Sequence, residues 1–150
     1  MRFLLVDRIL DCQPGGPIRG LKNVALSEDV LEFHFPGNPV MPGVLLLESM
    51  IQLAGWLEAS SSDFQNWFLV ERVQRCAYYG FAFPGDQVEF ELTPLPEPGP
   101  GHRAYRGIGT VAGRKKVLAE FEGTLTPLAD LEDPARQRRL YEVLNRPGRT

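Results

Sequence analysis

The chain has 150 residues but only two cysteines and two histidines. Cys12 and Cys76 stand far apart and outside any CxxC spacing. That excludes a disulfide framework and a cysteine-built zinc site. Two free thiols fit a reducing, cytoplasmic setting, where they act as small apolar side chains. No stretch approaches the ~18 uncharged apolar residues of a membrane span. The apolar start at Phe3-Leu4-Leu5-Val6 is too short for a signal peptide. Net charge is -3, and no basic run is long enough to track a phosphate backbone, so nucleic acid is not an expected partner. Arg114-Lys115-Lys116 follows Gly113 and reads as a solvated hairpin turn. There is no phosphate-binding glycine loop, no serine or cysteine elbow and no metal-ligand cluster. The sequence implies neither a metal nor an organic cofactor.

What is present is a set of β-prone stretches around one long apolar segment. Residues 3–9 and 18–26 are expected as strands joined through Pro14-Gly15-Gly16-Pro17, and 30–33 as a short extended piece. Pro36, Pro39 and Pro42, at three-residue spacing, forbid a helix and stiffen that loop. Pro42 suits the first position of a helix expected over about 42–59. Its residues are apolar on every side, from Val44 through Leu57, which marks a buried helix. Further strands are expected over 67–73, 76–83, 88–93, 105–111 and 117–125, the last two flanking the Ala112-Gly113-Arg114 hairpin. Asp133 is placed to cap a helix beginning at Pro134, with Leu140, Val143 and Leu144 on one side. One buried helix and a mostly antiparallel sheet make an α+β domain. One sheet face covers only part of a helix, so a second protomer or another layer has to cover the rest.

Glu48 is the one acid in that helix before its end. An ionised carboxylate among apolar side chains has to be paired, hydrogen-bonded or protonated. Gln52 lies four residues on and reaches the same face. The two readings are a satisfied structural pair and a proton-transfer group. His34 precedes the proline bend, which fixes the imidazole relative to the helix start, as proton transfer requires. A histidine at a strand end is otherwise ordinary. Gly43 lies in the first helical turn, where N–H groups are unpaired and no side chain blocks approach. It either starts a helix or offers an N–H to a ligand oxygen. His102 lies in the Pro98-Gly99-Pro100-Gly101 loop and reads as solvated.

The string His34-Phe35-Pro36-Gly37-Asn38-Pro39-Val40-Met41-Pro42-Gly43-Val44-Leu45-Leu46-Leu47-Glu48-Ser49-Met50-Ile51-Gln52 resembles the active-site segment of 3-hydroxyacyl-[acyl-carrier-protein] dehydratases. Phe3-Leu4-Leu5-Val6-Asp7-Arg8, Leu21-Lys22-Asn23-Val24 and Pro84-Gly85-Asp86 extend the match over roughly residues 1–126. The resemblance implies a hot-dog fold, an antiparallel sheet wrapped round one long central helix, working as a homodimer or a higher even-numbered oligomer. It implies that His34 removes the α-proton and that Glu48, from the opposite protomer, protonates the departing 3-hydroxyl. Gly43 would polarise the thioester carbonyl, and the Val40 carbonyl would orient the imidazole. Family members also suggest a cis peptide at His34-Phe35. Glutamate at position 48 looks like the branch that dehydrates without isomerising.

Phe33 occupies the position before His34, where the family usually has glycine, so it is expected to narrow or reshape the substrate site, which Gly43, Val40 and Gln52 are also expected to line. Phe81 replaces a common proline. The expected domains are a dehydratase domain over 1–127 and a tail over 128–150 with a short amphipathic helix. The expected substrate is a (3R)-3-hydroxyacyl chain on acyl carrier protein, with Arg72, Arg75, Arg103 or Arg106 drawing in the acidic carrier. Two other readings of the same fold are a non-catalytic acyl-binding or assembly module and an acyl thioesterase.

Overall fold

The computed structural model describes residues 3–147. Six strands form one antiparallel sheet: β1 (Arg8–Cys12), β2 (Ile18–Asn23), β3 (Asn66–Tyr78), β4 (Gln87–Leu95), β5 (His102–Val111) and β6 (Arg114–Pro127). Their order across the sheet is β1-β2-β4-β5-β6-β3. The helices are α1 (Asp29–Phe33), α2 (Gly43–Ser61) and α3 (Pro134–Leu144), with a 3-10 turn at Leu128–Asp130. The sheet curls around α2, which makes this α+β architecture a hot-dog fold. No helix among the described residues is long and apolar enough to cross a membrane.

The strands form where apolar side chains alternate. In β4, Val88, Phe90 and Leu92 point to the core while Glu89 and Glu91 face solvent. Met50, Leu53 and Leu57 of α2 are fully buried against this inner face. Close approach requires Gly107 on β5, where an added Cβ would stand 2.5 Å from the Met50 sulfur. The β5–β6 turn needs positive φ at Ala112 (48°) and Gly113 (76°), the backbone of a tight hairpin.

Several expected boundaries differ. Residues 3–7 are not a strand. Leu5 and Val6 are both buried, and the Leu5 N–H donates to the Gln52 side chain at 2.9 Å. Two consecutive inward side chains cannot satisfy a period of two. Residues 29–33 form a helical turn, not an extended piece, because one apolar residue, Leu31, is all that has to turn inward. The two strands expected over 67–73 and 76–83 are one strand, β3. Irregular pairing with β6 between Val70 and Arg72 and between Val73 and Arg75 obscures its alternation. Its partner-free edge exposes Leu69, Val70 and Val73.

The tail helix begins at Pro134 as expected, and the Asp133 carboxylate accepts from the Ala135 N–H at 2.9 Å. Its inward face is made by Gln137, Leu140, Tyr141 and Leu144, with Val143 exposed. At about 100° per residue, Val143 lies well off the stripe those four define.

Candidate active site

The loop between α1 and α2 is held by a ladder of short bonds. Phe35 and Asn38 exchange N–H···O bonds of 3.1 and 2.9 Å, and the Val40 N–H donates to the His34 carbonyl at 2.8 Å. The Met41 N–H donates to the Ala82 carbonyl at 2.9 Å, which ties the loop to the chain leaving β3. The His34–Phe35 peptide is cis, as the resemblance suggested.

Within this frame the His34 Nδ1 lies 2.7 Å from the Val40 carbonyl oxygen. A carbonyl only accepts, so Nδ1 carries the hydrogen. In the neutral ring the lone pair is then on Nε2. The ring is stacked on Phe35, with centroids 4.1 Å apart. Gly43 is the first residue of α2, where a helix leaves its N–H unpaired. His34, Val40 and Gly43 line one cavity of about 440 Å³, walled by apolar groups that include Val44, Leu46 and Phe81.

Tyr78 also lines this cavity and escaped the sequence reading. Its ring lies so close to Gly43 that an added Cβ there would be 2.6 Å from a ring carbon. Burial, with hydrogen bonding to Cys76, pushes the Tyr78 phenol well above its ordinary range, so it stays protonated. No local pattern in the sequence announces that contact, because Tyr78 and Gly43 meet only through the fold.

Glu48 and Gln52 open onto a different cavity, of about 290 Å³. Glu48 is five residues beyond Gly43, which turns it about 140° round the helix. The Gln52 amide donates to Glu48 at 3.0 Å and to the Phe3 carbonyl at 2.9 Å. Phe33 is 74% exposed and lines a third cavity, with Leu45. The ring stacked against His34 is that of Phe35.

His102 starts β5 instead of lying in a loop. It is partly exposed, 3.6 Å from Glu71, and it does not line the His34 cavity. Of the arginines expected to attract a carrier, Arg103 is held between Glu58 and Glu97. Arg72 and Arg106 each lie 3.9 Å from a glutamate of β6. Among the described residues no group of three or more His, Cys, Asp or Glu is placed to hold a metal ion.

A sheet wrapped on one helix is a hot-dog fold, and here a pinned imidazole faces an apolar pocket at the helix start. The FabA-like domain matches residues 1–119, and the chain belongs to that family. It is 37% identical over 135 residues to the 3-hydroxyacyl-[acyl-carrier-protein] dehydratase FabZ of Geotalea uraniireducens, covering 87% of this chain and 84% of that protein. The FabZ of Shewanella pealeana is 39% identical over 124 residues, covering 79% and 75%. Among solved structures, a hypothetical thioesterase from Streptococcus pneumoniae, crystallised with coenzyme A, superposes with a TM-score of 0.63. It is 16% identical, over 80% of this chain and 85% of that one. The dehydratase heterocomplex ApeI:P from Xenorhabdus doucetiae gives a TM-score of 0.58 at 14% identity, over 77% and 96%. At such identities these two support the fold alone.

Proposed function

We propose that the protein dehydrates (3R)-3-hydroxyacyl-[acyl-carrier-protein] thioesters to trans-2-enoyl thioesters, in fatty-acid or related acyl-chain biosynthesis. The observation that carries this reading is the His34–Val40 hydrogen bond, which leaves Nε2 free in an apolar cavity beside the Gly43 N–H. Nε2 takes the α-proton. The Gly43 N–H stabilises the enolate-like oxygen as charge develops on the thioester carbonyl. Glu48 gives its proton to the departing 3-hydroxyl. His34 and Glu48 line separate cavities of one chain, so the working pair is His34 of one protomer and Glu48 of the partner subunit.

A homodimer has physical support. The outer edge of β3 is unpaired and carries exposed Leu69, Val70 and Val73. Such an edge invites another strand. Val44 on α2 is 65% exposed, and Leu47 and Ile51 are only partly covered.

Enoyl formation from a 3-hydroxybutyryl thioester tests the reaction, with free-thiol release followed in parallel for hydrolysis. Wild type is expected to form enoyl product, and His34→Ala to lose about a thousandfold in kcat. An inactive wild type, or full activity in His34→Ala, sinks the assignment.

A further inference from the structure

Local sequence does little to restrain the residue that begins α2. Gly43 has no side chain to limit its backbone. Pro42, before it, makes no side-chain cap hydrogen bond. Val44, after it, is 65% exposed. A first turn without a capping side chain is the part of a helix most prone to fray. Yet the Gly43 N–H is the donor that the dehydratase reading requires, and such a donor is effective only when it is already aimed.

The restraint comes from the sheet. Tyr78 is the last residue of β3 and pairs with Val117 of β6. The Tyr79 N–H then donates to the Lys116 carbonyl at 2.8 Å, which anchors the strand end. From this base the Tyr78 ring reaches α2. A Cβ added to Gly43 would stand 2.6, 2.9 and 3.0 Å from three of its ring carbons, so the ring fills the place of the missing side chain. The phenol is hydrogen-bonded with Cys76, two residues back along the strand. Four residues on, the Ala82 carbonyl accepts the Met41 N–H at 2.9 Å. One stretch of chain therefore grips the start of α2 at two points, on either side of Pro42.

We propose that Tyr78 is a positioning residue whose ring takes the part of a helix cap, holding Gly43 so that its N–H meets the thioester carbonyl oxygen. The inference rests on the dehydratase reading above. Tyr78 lines the same cavity as His34 and Gly43, so the contact lies at the site itself. It joins ring carbons to backbone, and it needs the ring and not the hydroxyl. Glycine at position 43 then serves twice, leaving room for the ring and for the ligand oxygen.

Enoyl formation from a 3-hydroxybutyryl thioester by the full chain tests this. Tyr78→Ala removes the ring and should lower kcat roughly tenfold, part of the hundredfold or more that losing an oxyanion donor costs. KM should stay within about twofold, because the interaction at stake strengthens only as charge develops. Tyr78→Phe keeps the ring and should restore most of the rate. Gly43→Ala drives a methyl into the ring and should slow the reaction about a hundredfold. Removing the ring as well, in Gly43→Ala/Tyr78→Ala, should raise kcat back toward that of Tyr78→Ala alone, because the two positions are coupled by contact. A ring that only stabilises the fold gives the reverse, a double variant slower than either single one. Wild-type kcat in Tyr78→Ala overturns this inference alone. So does a loss confined to KM, or a double variant no faster than Gly43→Ala. A wild type that makes no enoyl product overturns the dehydratase reading and this inference with it.

Discussion

Helix α2 carries two carboxylates, ten residues apart, in opposite circumstances. Glu58 is nearly buried, its side chain 12% exposed. It accepts the Tyr105 hydroxyl and lies 3.5 Å from Arg103, which Glu97 holds in turn at 2.8 Å. Burial first, then the bond to Glu58, pushes the Tyr105 phenol far above its ordinary range. Among the described residues Glu48 has one side-chain partner, the Gln52 amide, and it lines a cavity. An acid surrounded by a cation and a phenol holds the fold together. An acid with one neutral partner and open space is placed to meet a ligand, as the proposed role of Glu48 requires. What separates the two carboxylates is the number and charge of their partners.

The same substitution at both acids breaks this comparison most sharply. Glu48→Gln is expected to cut kcat about a thousandfold while Tm moves by no more than about 2 °C. Steady-state kinetics and thermal unfolding on one preparation decide it. Equal stability loss at the two positions would erase the distinction. Glu58→Gln should instead cost about 2 kcal/mol in urea unfolding, between a surface pair and a fully buried one, with kcat of the folded enzyme within about twofold. Tyr105→Phe removes one donor but leaves Arg103 beside Glu58, and should cost about 1 kcal/mol. The smallest effect concerns alkaline pH. Burial, with hydrogen bonding to Cys12, pushes the Tyr141 phenol up to about 12. Folding therefore favours the protonated phenol. That contribution is complete below the ordinary tyrosine value near 10 and is lost as pH rises through about 12. Tyr141→Phe should flatten the stability loss over that window, measured by urea unfolding at stepped pH.

Much of the frame was legible along the chain. Pro42 and the all-round apolar run announced α2, and Ala112-Gly113 announced the hairpin. Asp133-Pro134 announced α3. These signals are local: a fixed φ, a cap, a period. Strand β3 read as two pieces because its pairing irregularities and its Glu71, Arg72, Gln74 and Arg75 interrupt the alternation. Helix α1 was missed because five residues are too few for a helical period to show. At the site, the proline spacing identified the loop that carries His34, Val40 and Gly43, which the structure brings to one cavity. Tyr78 and the Glu58–Tyr105–Arg103 cluster were missed. Each meets its partner between the sheet and α2, far apart in sequence.

The sequence by itself determined that a rigid histidine loop leads into a buried helix bearing one mid-helix acid, because proline geometry and apolar periodicity act over a few residues. Only the tertiary structure decided which acid is tied down and which faces open space. It also turned His34 and Glu48 into separate cavities of the chain. Those outcomes depend on the 100° step of the helix and on the curl of the sheet, which place side chains far apart in sequence against one another.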